Sequence, residues 1–283
     1  MRDPVVLSGR ELASEVRKSL ALEITATAGR PPGLAVVMVG DDPASGVYVS
    51  MKEKACAKAG ISSSIARLPG TATQDELLRE IERLNGDDSV DGILCQLPLP
   101  GHLSPDSVAS AILPWKDVDG FHPVNVGKLW RGEEGLFPCT PVGITAMLDH
   151  YGIAIDGARA VIVGRSNIVG KPMAALLLRR HSTVTVAHSH TPDLQDLCST
   201  ADILIAAVGK PRFITPDFVK YGATVIDVGT SRTADGLSGD VDYEPVLEKC
   251  GAITPVPGGV GPLTIAFLLS NTVAAWRAAR IRG

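Results

Sequence analysis

An apolar run at residues 158–163 follows Asp156-Gly157 and breaks at Gly164-Arg165-Ser166-Asn167-Ile168-Val169-Gly170-Lys171-Pro172. Met173, Leu176, Leu177 and Arg180 then recur at helical spacing. Strand, glycine turn and helix in immediate succession constrain the fold more than any other stretch. They specify an α/β unit whose helix begins at the strand's carboxyl end, where phosphate groups bind. Gly164 permits the tight turn, and Gly170 lets the helix pack close to the sheet. Ser166 stands where the second glycine of G-x-G-x-x-G would be. The motif alone therefore leaves two readings open, a nucleotide site or an ordinary tight turn.

The alternation continues downstream. Residues 184–187, 203–207 and 224–228 predict strands, Thr191-Pro192 and Thr215-Pro216 open helices, and the whole predicts a doubly wound parallel sheet. Asp193 reads as a first-turn helix residue favoured by the helix dipole. Upstream, Ser8-Gly9-Arg10-Glu11 has the form of a capping box before a first helix. Residues 34–39, 61–68 and 90–95 predict strands. Helices follow at about 44–58, stopped by Gly60, from Thr73-Gln74-Asp75-Glu76 through 84, and from Ser104-Pro105. Thr140-Pro141 predicts an N-cap and first helical residue, leading to Tyr151. A chain of 283 residues accommodates two cores of this kind. A formal charge of −4 sets up no field that would gather nucleic acid or an anionic membrane. Met1-Arg2-Asp3-Pro4 lacks a signal-peptide core and no apolar run is long enough to span a bilayer, so a cytosolic protein is expected. The five cysteines lack metal-ligand spacing and read as small buried residues.

Within the first half, Tyr48 and Lys52 lie four residues apart on one helix face. Lys52 shares that face with Ala55, Cys56 and Ala59, whereas Lys54 and Lys58 read as solvated. A partly desolvated lysine loses proton affinity and becomes usable as a base; an exposed amphipathic pair is the alternative. Gln96-Leu97-Pro98-Leu99-Pro100 ends a strand in an irregular loop, at the sheet edge where ligands bind. Residues 114–127 show no helical or strand period, and Asp117 and Asp119 there are either turn formers or ligand contacts. Thr254-Pro255-Val256-Pro257-Gly258-Gly259-Val260-Gly261-Pro262 excludes regular structure. The final helix, from about Pro262 to Arg277, Arg280 and Arg282, carries an apolar face (Ile265, Leu268, Leu269, Thr272, Val273, Trp276) expected to pack on the first domain.

Five stretches now coincide with one family: Tyr48-x-x-x-Lys52, Gln96-Leu97-Pro98-Leu99-Pro100, Lys116-Asp117-Val118-Asp119-Gly120, Gly164-Arg165-Ser166 with Val169-Gly170-x-Pro172, and the 255–262 loop. In this order, over nearly the whole chain, they resemble the methylenetetrahydrofolate dehydrogenase/methenyltetrahydrofolate cyclohydrolases. The resemblance implies two α/β domains with a cleft between them. One is a folate-site domain, residues 1–139 completed by the helix 262–283. The other is a Rossmann-like NADP domain, residues 140–261. It implies oxidation of 5,10-methylenetetrahydrofolate by hydride transfer to NADP⁺, then hydrolysis to 10-formyltetrahydrofolate, within one-carbon metabolism and purine biosynthesis. Lys52 would serve the hydrolytic step, Gln96 would tune it, and Tyr48 would stack on the folate ring and hydrogen-bond Lys52. Asp119 would accept hydrogen bonds from the pterin. Leu97, Pro98, Pro257, Gly258, Gly259, Pro262 and Thr264 would complete the folate site. Gly164, Arg165, Ser166, Val169, Gly170, Pro172, Ser189, Val208, Gly209 and Thr230 would hold the cofactor. The resemblance also implies a homodimer formed through the cofactor domain and a folate substrate with or without a polyglutamate tail.

Cofactor choice is legible separately. NAD-selective folds carry an acid near the end of the second strand. Here that end reads His188-Ser189-His190-Thr191, which favours NADP over NAD, with Ser189 and Arg165 available to a 2′-phosphate. His188 and His190 lack a third ligand, so no metal is expected. The chain departs from the family pattern at Thr230-Ser231 after Asp227-Val228-Gly229, at Leu263 for a usual Met, and at Cys95 for a branched aliphatic. Two rivals remain: a monofunctional dehydrogenase of the same architecture, on folate or another small molecule, and a non-catalytic folate- or nucleotide-binding relative.

Overall fold

The computed structural model describes residues 3–282 apart from Asp235, without the side chains of Pro43, Ala44 and Arg282. Met1 and Arg2, part of the N-terminal reading, and the side chain of Arg282, part of the basic helix end, lie outside the described residues. In chain order the elements are β1 (Val5–Val6), α1 (Gly9–Ala26), β2 (Gly33–Val39), α2 (Pro43–Ala59), β3 (Ser62–Leu68), α3 (Gln74–Asn85), β4 (Gly92–Cys95), α4 (Pro105–Ala111), α5 (Pro123–Arg131) and α6 (Cys139–His150). There follow β5 (Arg159–Val163), α7 (Gly170–Arg179), β6 (Thr183–Ala187), α8 (Leu194–Cys198), β7 (Ile203–Ala206), a 3₁₀ turn (Pro216–Phe218) and β8 (Thr224–Asp227). The chain ends with β9 (Ser231–Thr233), β10 (Gly236–Ser238), α9 (Tyr243–Leu247), β11 (Ala252–Ile253) and α10 (Gly261–Arg282).

The chain divides into two compact units, Ser14–Cys139 with the segment from Ile265 onward, and the N-terminal segment through Ala13 with Thr140–Thr264. This differs from the division read in the sequence, because β1 pairs in parallel with β11 and Gly9 N–H donates to Gly258 O. These bonds tie the start of the chain to the later strands.

In the first of these units β2 is flanked by β3 and β4, all parallel. Alternation along β2 splits the core into two faces. Leu34, Val36 and Met38 join Leu20, Ile24, Cys56, Leu268, Leu269, Val273 and Trp276. Ala35, Val37 and Val39 join Leu77, Ile81 and Leu84 of α3. The apolar face of α10 thus covers one side of this sheet, as its spacing predicts. The Thr73 capping box forms: Thr73 Oγ1 accepts from Glu76 N–H, and Glu76 returns a carboxylate to Thr73 N–H.

In the other unit the six-stranded sheet runs β1-β11-β8-β7-β5-β6, parallel throughout. The chain moves from β5 to one side (β6), then returns to the other (β7). This is the reversal of a doubly wound sheet. The segments 164–170, 188–191, 207–210 and 228–230 therefore leave the carboxyl ends of β5, β6, β7 and β8.

Several local expectations are corrected. Ser8 forms no capping box; its Oγ accepts from Arg10 N–H, and its own N–H donates to Tyr151 Oη. Residues 123–127 belong to helix α5, with the ring of His122 accepting from Val124 N–H and Pro123 beginning the helix. α6 begins at Cys139, so Thr140 is not its cap; its hydroxyl instead hydrogen-bonds Thr264. Thr191 Oγ1 accepts from His188 N–H, and α8 starts only at Leu194. Asp193 is the N-cap of that helix, with φ 47° and no capping bond, and so stands before its first turn rather than in it.

Candidate active site

Lys52 projects from α2, whose start is fixed by Asp42 accepting from Ser45 N–H and whose end is fixed by Gly60 at φ 80°. Its Nζ donates to Gln96 Oε1 at 2.9 Å, and Gln96 Nε2 donates to Leu97 O at 2.6 Å. With its nitrogen spent on Leu97, the amide can only present its oxygen to the lysine. Burial lowers the proton affinity of Lys52, and the charge of Asp119 partly offsets this. Asp119 keeps some surface exposure, yet dense surroundings push its carboxyl up to about 7, against the pull of Lys52. Its carboxylate accepts no hydrogen bond from the described residues, which leaves it free to accept donors from a ligand.

Asp117 turns out to be the turn former of the two acids. It accepts from Gly120 N–H, His122 N–H and Asn125 Nδ2. Lys116, nearly buried, donates to the carbonyls of Leu84, Asn85 and Asp87 and so closes the end of α3. The backbone that carries Asp119 is therefore anchored on both sides of it.

Two residues at this site escaped the sequence reading. Asn271 Nδ2 donates to Val118 O and Phe137 O. The Cys139 thiol donates to Val118 O and is held far above its usual range by burial and the charge of Asp119, against the pull of Lys52. Asn271 lies 132 residues from Cys139, so no local spacing could signal the pair. Tyr48 is 46% exposed and makes no hydrogen bond to Lys52, contrary to expectation. Val47 and Met51 beside it are similarly exposed, at 51% and 48%. They form an apolar surface suited to a planar ring.

In the unit with the six-stranded sheet, Gly164 has φ 131°, and a Cβ there would meet Ala207 O at 2.2 Å. A Cβ on Gly170 would meet Gly164 O at 2.1 Å, so the two glycines bring helix and strand end together as expected. Ser166 Oγ accepts from Val169 N–H and Gly170 N–H. Arg165, Ser166 and Ser189 are exposed, and no acid stands at the end of β6. Val208 and Gly209 follow β7, and exposed Thr230 follows β8. Glycine cradle, exposed cation and hydroxyls at one sheet edge suit a phosphorylated dinucleotide. Pro257, Gly258, Gly259, Pro262 and Thr264 also fall in this unit. A Cβ on Gly9 would meet Gly259 O at 1.9 Å, so the close approach in that loop is to the start of α1. Among the described residues no group of three or more His, Cys, Asp or Glu could hold a metal ion, and no helix is long and apolar enough to cross a membrane.

Comparison with known proteins decides the family. Residues 7–119 match the tetrahydrofolate dehydrogenase/cyclohydrolase catalytic domain, and residues 138–280 match its NAD(P)-binding domain. The chain belongs to the tetrahydrofolate dehydrogenase/cyclohydrolase family. A bifunctional protein FolD of Halothermothrix orenii is 56% identical, over 95% of this chain and 97% of its own. The crystal structure of the bifunctional enzyme FolD from Campylobacter jejuni superposes with a TM-score of 0.95 at 47% identity, covering 99% of both chains. The Trypanosoma brucei enzyme, complexed with NADP cofactor and inhibitor, gives 0.95 at 39% identity, covering 100% of both. The expected family, two-domain α/β fold, paired dehydrogenase and cyclohydrolase activities and NADP cofactor are borne out. Neither rival is favoured.

Proposed function

We propose that this chain oxidises 5,10-methylenetetrahydrofolate to the methenyl cation with NADP⁺ and hydrolyses that cation to 10-formyltetrahydrofolate, with Lys52 as the base of the second step. The observation that carries the assignment is the hydrogen bond from Lys52 Nζ to Gln96 Oε1 beside the Asp119 carboxyl. A lysine with its usual pKa, about 10.4, is almost wholly protonated at neutral pH. Burial lowers that barrier here, and an incoming cationic substrate disfavours the ammonium further.

Lys52 takes a proton from water as the water oxygen bonds to the methenyl carbon. The resulting carbinol collapses when Lys52 returns that proton to N5 and the carbon–N5 bond breaks. The carbinol hydroxyl proton leaves to solvent, so one proton is released per turnover. Gln96 holds the amine in place through both transfers. Asp119 accepts from the pterin N–H groups, and its charge offsets that of the cation. Tyr48 supplies a stacking face, and Leu97 and Pro98 are assigned to the same folate site. Pro257, Gly258, Gly259, Pro262 and Thr264 are assigned to the remainder of the folate.

When bound, NADP⁺ supplies the nicotinamide carbon that accepts the hydride. Gly164, Ser166, Val169, Gly170 and Pro172 shape the phosphate cradle, Arg165 and Ser189 take the 2′-phosphate, and Val208, Gly209 and Thr230 lie toward the nicotinamide. Hydride transfer releases no proton, so positioning dominates that step. The family resemblance further supports a homodimer, a cytoplasmic location, acceptance of polyglutamylated folate and supply of one-carbon units to purine biosynthesis.

The test is an absorbance time course with methylenetetrahydrofolate and either NADP⁺ or NAD⁺, and separately with added methenyltetrahydrofolate. NADPH formation together with accelerated loss of the methenyl compound is expected. Persistence of the methenyl compound at its uncatalysed rate would remove the role of Lys52.

A further inference from the structure

Two buried aspartates occupy the sheet edge beneath the loops that follow β7 and β8. Asp240 is fully buried, and its Oδ2 accepts from Val208 N–H at 2.6 Å and from Gly209 N–H at 2.9 Å. Its own N–H donates to Asp227 Oδ1 at 2.8 Å. That same oxygen accepts from Gly229 N–H at 2.9 Å, and Asp227 Oδ2 accepts from Val241 N–H at 2.9 Å. Asp227, 3% exposed, is in turn fixed by donating its N–H to Thr254 Oγ1. Room for this arrangement depends on two missing side chains. A Cβ on Gly229 would stand 2.4 Å from Asp240 Oδ1, and one on Gly239 would stand 1.9 Å from Asp227 Oδ2.

The second carboxylate oxygen of Asp240, Oδ1, is buried without a hydrogen-bond partner. A buried acceptor left unmatched is costly. A neutral apolar residue would fill the space more cheaply, but it could not bind two adjacent backbone N–H groups at once. The bonds that Asp240 does make go to a two-residue turn whose Gly209 is exposed and at φ 67°. We infer that Asp240 is a positioning residue for the cofactor: its carboxylate, with Asp227 behind it, sets the 208–209 turn and the 228–230 segment in the geometry that receives the nicotinamide half of NADP. The inference rests on the assignment of Val208, Gly209 and Thr230 to the cofactor site. Asp240 itself need not touch the dinucleotide.

The chain's two activities allow a selective test, because hydrolysis of added methenyltetrahydrofolate requires no cofactor. Asp240→Ala is expected to weaken NADPH binding, followed by titration calorimetry, at least tenfold, while cyclohydrolase kcat stays within twofold of wild type. Asp240→Asn retains one acceptor oxygen for the turn and is expected to bind NADPH within about threefold of wild type. If the alanine variant does not fold, Asp240→Ser replaces it; its hydroxyl is too short to reach both amides, and the same tenfold loss is expected. Unchanged NADPH affinity in the alanine or serine variant overturns the inference, as does a parallel fall of both activities. Hydrogen exchange of the wild type with and without NADPH tests the underlying assignment separately. Protection is expected at 207–210 and 228–231, and its absence would reject the cofactor site and the inference together.

Discussion

Lys52 Nζ and Gln96 Oε1 are 2.9 Å apart, and the bond from Gln96 Nε2 to Leu97 O prevents the amide from turning its nitrogen toward the lysine. The amine is therefore held by a neutral acceptor that imposes little cost on losing its proton. Gln96→Glu replaces that acceptor with a carboxylate at the same reach. An adjacent negative charge favours the ammonium and raises the lysine pKa. The base form then becomes available only at higher pH. The acid limb of the cyclohydrolase pH profile should move about one to two units toward alkaline pH, and the rate at pH 7 should fall roughly ten- to a hundredfold. An unchanged profile would show that Gln96 does not tune the base.

Asp119→Asn should alter the pH dependence of stability in a defined direction. Burial holds the Asp119 carboxyl up at about 7. Its favourable contribution is complete below the unfolded value near 3.9, and it is lost as the pH rises through about 7. Asparagine has no charge to bury at high pH. The pull of Lys52 on this carboxyl is already contained in that value. The melting temperature of the variant relative to wild type should therefore rise between pH 5 and pH 8, by the equivalent of about 1 kcal/mol or more. Parallel melting curves across that range would contradict the burial of this carboxyl. Folate affinity should fall in the same variant despite any gain in stability.

The sequence revealed more of the fold than of the site's support. Strand–turn–helix patterning located β5, β7 and the 164–170 turn, because apolar runs bounded by glycine report burial directly. The apolar face of α10 was legible for the same reason. The two-residue strands β1 and β11 were not, since so short a segment carries no period, and their pairing joins residues 5 and 252. Thr140 and Thr191 resemble caps but spend their hydroxyls on Thr264 and His188. Lys52, Gln96 and Asp119 could be named because each lies in a recognisable local pattern. Asn271, Cys139 and Asp240 act through partners tens to more than a hundred residues away, and nothing in their neighbourhood announces that.

Cofactor preference should depend on Arg165. Its guanidinium is exposed beside the glycine turn, and the end of β6 offers Ser189 with no acid. A charge-assisted bond to a phosphate contributes about 1.5–3 kcal/mol. Arg165→Gln should therefore reduce the ratio of kcat/KM for NADP⁺ over NAD⁺ by at least about tenfold, with cyclohydrolase activity on added methenyltetrahydrofolate unchanged. A preserved ratio would place the 2′-phosphate elsewhere.

The division of labour between the two steps is tested most directly by Lys52→Met, which keeps most of the side-chain volume and removes the amine. The two activities are assayed separately in one preparation, by NADPH formation from methylenetetrahydrofolate and by loss of added methenyltetrahydrofolate. Loss of the methenyl compound is expected to slow by roughly a hundred- to ten-thousandfold, toward the uncatalysed rate, while NADPH formation persists at a reduced rate. Methenyl hydrolysis at the wild-type rate in this variant would contradict the assignment of Lys52 as the base.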